Sequence, residues 1–173
     1  GNETENIGIS IKISYKNISV ELNLSESLLV INALATKKIA LRGGAWSSIG
    51  KRVEKPLMLE LCRLCGVPKE FINADIFKKD GELDFDREVD FKLFNKDKSK
   101  IYRVEVKLMG KGNPESADAV IARDTNIFIA DTLSLQNKNQ LKSLNIEFLE
   151  LKNNRNSLAD FKKILNKLEI QNS

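Results

Sequence analysis

Residues 87–112 alternate between apolar and charged side chains, and this alternation constrains the fold more than any other feature of the chain. In the second half of the segment the apolar positions share one face: Val104, Val106 and Leu108. The intervening positions share the opposite face: Arg103, Glu105, Lys107 and Met109. A period of two is typical of a half-buried β-strand. Because unpaired charge is costly away from water, a face that carries Glu and Lys together is not built for burial.

The first half of the segment predicts a second strand, joined to the first by a polar turn from Asn95 to Lys100. Its apolar positions are Val89, Phe91 and Leu93, and its polar positions are Glu88, Asp90 and Lys92. Paired as neighbours, the two strands bring Asp90, Glu105 and Lys107 together. Two carboxylates can hold a hard cation such as Mg²⁺, and the adjacent lysine can orient a water molecule or, as the neutral amine, deprotonate it. This combination favours phosphodiester cleavage.

Other acids compete for the role of Asp90. Three of them share its face if the first strand starts early: Asp84, Asp86 and Glu88. Asp90 is preferred because it is nearest the turn and therefore best placed opposite Glu105, and Glu88 is retained as an accessory acid. The alternative interpretation of the whole set is a surface ion pair between Glu105 and Lys107, which is common on exposed sheet faces.

Asp90, followed fifteen positions later (105 − 90) by Glu105-Val106-Lys107, resembles the signature of the PD-(D/E)xK nuclease superfamily, in particular type II restriction endonucleases. Val89 stands where the motif's name has Pro. The segments on either side strengthen the resemblance. Residues 110–124 are similar to the loop and helix after the lysine strand, and residues 43–68 to the helix before the strand pair.

The resemblance implies an α/β fold with a restriction-endonuclease-like core, in which helices flank both faces of a central mixed sheet. It also implies that Asp90 and Glu105 hold Mg²⁺ while Lys107 serves the attacking water. Glu54 matches an acid that projects toward the metal in several related families, although a surface ion pair with Lys51 or Lys55 is an equal alternative. The implied partner is double-stranded DNA, and the implied location is the prokaryotic cytoplasm.

The distribution of charge supports a polyanionic partner. The formal net charge is +4, and residues 37–55 contain six Lys or Arg residues against a single acid, Glu54. Such a run is ordinarily a solvated helix face, but here it adjoins a candidate phosphodiesterase site, so phosphate contact is favoured. The expected phosphate-binding residues are Arg42, Lys51, Arg52 and Lys111, with Asn113 a weaker candidate.

Residue types that are missing or rare exclude other chemistries. The chain contains no His, which excludes His-dependent triads, His-metal hydrolases and His-dependent nucleases. Cys62 and Cys65 form a C-x-x-C pair, but no further Cys or His exists to complete a zinc site. Both cysteines are expected to be small core residues. No apolar run has the length of a membrane span, and no signal peptide is visible.

The remaining pattern predicts a β-hairpin over residues 7–24, a helix over 25–38 and a second helix that ends at Gly66. After the motif come a helix capped by Asn113, a buried strand at 127–130 and a helix capped by Ser134. A strand at 146–151 and an amphipathic helix from Asn156 or Ser157 complete the order. Residues 1–42 are assigned to the hairpin and helix, as a DNA-contacting or dimerising part, and residues 43–173 to the nuclease core of one compact domain. The sequence begins without Met, so a further N-terminal region is an open alternative.

Two alternative functions and one expectation about assembly follow. A repair or resolvase-type nuclease would use the same core, and a non-catalytic nucleic-acid-binding module would keep the fold without cleavage. Because a duplex has two antiparallel strands related by approximate two-fold symmetry, an enzyme with one site per chain is expected to act as a homodimer.

Overall fold

A computed structural model describes residues 10–15, 18–23, 54–55, 57–81, 90–107, 124–130, 132–151 and 154–173 of the chain. Two antiparallel strands come first, β1 (Ser10–Tyr15) and β2 (Ile18–Asn23), with Ser10 opposite Asn23. This confirms the hairpin that the alternation of Ile residues predicts. Within the described residues, no helix is long and apolar enough to cross a membrane.

A four-stranded mixed sheet forms the centre of the described structure. Its strands are β3 (Phe91–Phe94), β4 (Ile101–Lys107), β5 (Ile127–Ala130) and β6 (Glu147–Glu150), in the order β3-β4-β5-β6. The β3 and β4 strands are antiparallel, whereas β4, β5 and β6 are parallel. The turn between β3 and β4 is the predicted polar one. It is closed by Asn95, whose backbone N donates to the Lys100 carbonyl at 3.2 Å and whose Oδ1 accepts from the Lys100 N at 2.9 Å.

In the described part of the chain, three helices accompany the sheet. Residues 54–55 and 57–64 are helical and are called α1; α2 is Leu135–Ser143 and α3 is Ser157–Lys167. Two 3-10 turns, Lys69–Phe71 and Ala74–Ile76, follow α1. Ser134 caps α2, since its hydroxyl accepts from the Asn137 N at 3.0 Å, as its place before the helical pattern predicts.

The larger core lies on one face of the sheet, where α1 and α3 pack. Alternate residues of the strands enter it, with Val104 and Val106 from β4 and Ile127 and Ile129 from β5. The buried residues of α1 are Leu57, Met58, Leu61 and Cys62, and those of α3 in this core are Phe161, Ile164 and Leu165. The period of two in the strands and of about four in the helices therefore turns each apolar stripe toward the same interior.

A smaller core lies on the opposite face, beneath α2. Phe128 and Ala130, which alternate with the β5 residues of the larger core, pack there with Leu141 of α2 and with Ile146. Both faces of β5 are thus covered, which explains its continuous apolar run. Helices on both faces of a mixed sheet confirm the predicted α/β class.

The α1 helix ends as the sequence predicts. Gly66 takes a left-handed backbone with φ of +68°, and the Val67 N donates back to the Cys62 carbonyl at 2.8 Å. A Cβ at Gly66 would lie 1.8 Å from the Ser173 hydroxyl, so the close approach of the C-terminal residues also requires glycine. Cys62 and Cys65 are free, buried thiols of the core, in agreement with the prediction. Burial raises the pKa of both thiols.

Candidate functional site

The charged face of β4 forms the centre of the candidate site. Val104 and Val106 are buried in the larger core, whereas Arg103, Glu105 and Lys107 are partly exposed on the other face. Glu105 lies beside Phe128 of β5, and Lys107 lies beside Ala130. The charges therefore share a sheet face with α2, on the part of the sheet next to the smaller core. The apolar and charged residues of β4 therefore lie on opposite faces of the sheet, as their alternation predicts.

Asp90 lies directly before β3. The first residue of that strand, Phe91, pairs with the middle of β4. Phe91 pairs with Val104, so the next position in this register sets Asp90 against Glu105. A buried side chain, Asn73, fixes this part of the backbone. Its Nδ2 donates to the Asp90 carbonyl at 2.8 Å, and its Oδ1 accepts from the Lys92 N at 2.8 Å. Asn73 therefore determines where the chain enters β3.

The carboxylate of Asp90 contacts the guanidinium of Arg103. The Nε of Arg103 lies 3.3 Å from Asp90 Oδ2, and Nη2 lies 3.4 Å from Oδ1. The third nitrogen, Nη1, forms an ion pair with Asp124. Partial burial lowers the pKa of Arg103, but the attraction of Asp90 and the hydrogen bond to Asp124 outweigh it, so its pKa is raised overall. Arg103 thus remains a cation between two carboxylates.

The carboxylate of Glu105 has a separate pair of partners. Its Oε1 lies 3.3 Å from Lys107 Nζ, and its Oε2 accepts a hydrogen bond of 2.9 Å from the Thr125 hydroxyl. The Glu105 side chain is 22% exposed and that of Lys107 is 36% exposed, whereas Thr125 is buried. The ion pair that the alternative interpretation expects is present, but it lies on a partly buried face and belongs to a larger cluster.

The charges of this cluster suit a divalent cation and a phosphate together. Three carboxylates (Asp90, Glu105 and Asp124) and two cations (Arg103 and Lys107) give a net charge of −1. One divalent cation would change it to +1, opposite in sign to a phosphodiester. The described residues contain no group of three or more Asp, Glu, Cys or His that could hold a metal ion. A donor set of two carboxylates nevertheless fits Mg²⁺, which commonly binds one or two carboxylates together with water and substrate phosphate oxygens.

The structure therefore places Asp90, Glu105 and Lys107 on one sheet face, with Asp90 contacting Arg103 and Glu105 contacting Lys107. Sequence reasoning assigned no role to Asn73, Arg103, Asp124 or Thr125. Arg103 was visible as a member of the charged face of β4. For Asp124 and Thr125 the signal was their position two to three residues before a buried strand.

The other predicted site residues lie mostly outside the described part of the chain. These are Arg42, Lys51, Arg52, Lys111 and Asn113, together with the competing acids Asp84, Asp86 and Glu88. Glu54 is described as a partly exposed residue of α1 that takes part in an interaction. Its predicted role near the metal stays a prediction.

Comparison with known protein families gives a match. The family model of the CfrBI restriction endonuclease matches residues 1–138, which covers the hairpin, α1, β3, β4 and β5 with the whole charged cluster. No curated protein and no solved structure matches the chain.

Proposed function

The chain belongs to the CfrBI restriction endonuclease family, and we propose that it is a Mg²⁺-dependent type II enzyme that cleaves double-stranded DNA at a specific sequence. The family makes the chain a nuclease that acts on DNA. Metal dependence, sequence specificity and the roles of individual residues are the proposal. With this substrate, we expect the enzyme to act in the prokaryotic cytoplasm.

One observation carries the proposal: Glu105 and Lys107 lie on the same face of β4, and Asp90 lies beside them, directly before β3. Asp90 and Glu105 would hold Mg²⁺. Glu54 would be a further ligand, or an acid that contacts a ligand and not the metal itself. The bound metal would neutralise charge that develops on the phosphate during cleavage. Both proposed ligands are oxygen donors, which Mg²⁺ prefers over nitrogen or sulfur.

Lys107 would orient the water that attacks the phosphorus, or, as the neutral amine, would take its proton onto Nζ. Its ammonium lies within 3.3 Å of Glu105, so a water held beside Glu105 would be within reach of the same side chain. Arg103 adds a second cation to the cluster and would attract the phosphodiester while holding Asp90. Arg42, Lys51, Arg52 and Lys111, with Asn113 as a weaker candidate, would contact backbone phosphates outside the cluster.

The test measures cleavage of a duplex of diverse sequence by Asp90→Ala and Lys107→Ala variants, with Mg²⁺ present or withheld. Each substitution should remove Mg²⁺-dependent cleavage. Breaking the partly exposed pair of Lys107 with Glu105 should cost only about 0.2–1 kcal/mol of stability, so the urea unfolding curve should hardly move. Sequencing the ends of the wild-type products would give the recognition sequence.

The matched control is Lys100→Ala, which removes an exposed lysine from the turn between β3 and β4. It changes the net charge of the protein as Lys107→Ala does, but it leaves the cluster intact. Cleavage by the control should equal that of the wild type. An active Lys107→Ala enzyme would refute the mechanism, and a wild-type protein that binds duplex DNA without cutting it would instead favour a binding module.

A further inference from the structure

Thr125 lies two residues before β5, and the neighbouring Asn126 fixes its backbone between two strands. The Asn126 Oδ1 accepts from the Arg103 N at 2.8 Å, and the Asn126 N donates to the Arg103 carbonyl at 3.0 Å. The Asn126 carbonyl in turn accepts from the N of Glu147, the first residue of β6, at 3.0 Å. Thr125 therefore sits on backbone that is tied to β4 on one side and to β6 on the other.

The side chain of Thr125 is 2% exposed, and its hydroxyl donates to Glu105 Oε2 at 2.9 Å. The two partners of the Glu105 carboxylate thus differ in rigidity. Lys107 contacts Oε1 through a long side chain with several rotatable bonds, which is 36% exposed. Thr125 contacts Oε2 through a short, β-branched side chain whose χ1 is restricted.

The two partners also differ in what else they have to do. In the proposed reaction Lys107 serves the attacking water, so it cannot hold Glu105 at the same time with the same geometry. The hydroxyl of Thr125 faces no such demand. It remains the contact that keeps the Glu105 carboxylate in one orientation while Lys107 turns to the water.

We propose that Thr125 is a positioning residue that orients the Glu105 carboxylate for binding a divalent cation, an inference that rests on the proposed function. Hydrogen-bond partners behind a ligating carboxylate orient it, and their loss typically lowers metal affinity about 10- to 100-fold. Thr125 acts through Glu105 and is not itself assigned any contact with metal or DNA. The competing explanation is that Glu105 merely satisfies a buried hydroxyl.

The test compares Thr125→Val, which keeps the shape but removes the hydroxyl, with Thr125→Ser, which keeps the hydroxyl. The primary measurement is binding of Mn²⁺ to the free protein, followed by the electron paramagnetic resonance signal of the unbound ion. Thr125→Val should raise the dissociation constant about tenfold or more, whereas Thr125→Ser should stay within about threefold of the wild type. The Mg²⁺ concentration that gives half-maximal cleavage should shift in the same way.

The control for stability is Ile146→Val, which removes one buried methylene from the smaller core without touching the charged cluster. It should lower the urea midpoint but leave Mn²⁺ binding unchanged. If Thr125→Val lowers stability as this control does while Mn²⁺ binding stays at the wild-type value, the positioning role is overturned. If Thr125→Val does not fold, the same comparison is made between Thr125→Ala and Thr125→Ser.

The wild-type protein separates this inference from the proposed function. If the wild type binds Mn²⁺ and cleaves DNA but Thr125→Val behaves identically, only the positioning role fails. If the wild type neither binds Mn²⁺ nor cleaves DNA, the proposed function fails, and the role of Thr125 fails with it.

Discussion

Replacing Asn73 with Ala should destabilise the protein at the start of β3. The Asn73 side chain forms hydrogen bonds with the backbone there, as a neighbouring strand would. Asn73 is 6% exposed and lies between the two 3-10 turns. Its Nδ2 donates to the Asp90 carbonyl and to Asp75 Oδ1, at 2.8 and 2.7 Å, and its Oδ1 accepts from the Lys92 N. Its own backbone N donates to the Lys92 carbonyl at 3.2 Å.

The expected loss follows from which groups the substitution leaves unpaired. Ala at this position keeps the backbone bond to Lys92 but removes the side-chain bonds to the Lys92 N and the Asp90 carbonyl. A buried backbone group left without a partner costs about 1–3 kcal/mol. Asp90 itself is exposed, so water can replace the bond to its carbonyl in part. We therefore expect a total loss of roughly 2–3 kcal/mol, most of it from the Lys92 N–H.

The assay is urea unfolding of the wild type and Asn73→Ala near neutral pH, with Asn139→Ala as the matched control. Asn139 is an exposed residue of α2, so its replacement should change stability by no more than about 0.5 kcal/mol. The midpoint of Asn73→Ala should fall with an unchanged slope, since the surface exposed on unfolding is the same. A midpoint shift no larger than that of the control would refute the role of Asn73.

The same variant has a second readout, because Asn73 fixes the backbone of a proposed metal ligand. Under conditions where Asn73→Ala is folded, cleavage should fall about tenfold or more, since small displacements of reacting groups reduce rates strongly. Full activity in a destabilised variant would limit Asn73 to supporting the edge of the sheet.

Four further predictions concern DNA contact, assembly, thiol reactivity and pH. Arg52→Ala should weaken binding to all duplexes and flatten the dependence of log K on log salt by about one unit, and an unchanged slope would assign residues 37–55 to a solvated face. Sedimentation with uncleavable duplex in Ca²⁺ should show two chains per duplex, because one site cuts one strand at a time; a one-to-one complex that only nicks in Mg²⁺ would contradict the homodimer. Burial raises the pKa of Cys62 and Cys65, so a thiol reagent should label them slowly in the native protein and rapidly in urea. Because the pKa of each thiol is higher in the folded protein than in the unfolded chain, protein stability depends on pH in the alkaline range. The stability that the thiols contribute is complete below their ordinary pKa and is lost as the pH rises toward their folded-state pKa values. Urea unfolding measured at a series of alkaline pH values would detect this loss.

The sequence by itself determined the elements whose signals are local. Alternation in residues 87–112 specified β3, β4 and the face on which Glu105 and Lys107 lie, because successive side chains of a strand must point to opposite sides. The continuous apolar run specified β5, and Ser134 and Gly66 marked the ends of two helices through capping chemistry. Each of these features depends only on residues that are close to one another in the sequence.

Only the tertiary structure decided which partners from distant parts of the chain the charged residues acquire. Thr125 reaches Glu105 from 20 positions away, Arg103 reaches Asp124 from 21, and Asn73 reaches the Asp90 carbonyl from 17. These distances in sequence are bridged by the parallel pairing of β4 with β5 and by the packing of the turns after α1 against β3. Hydrophobic periodicity fixes the face on which a side chain lies, but it carries no information about which strand will be its neighbour or in what register. Neighbour and register are set by how the two cores fill on opposite faces of the sheet, which is a property of the whole packed chain.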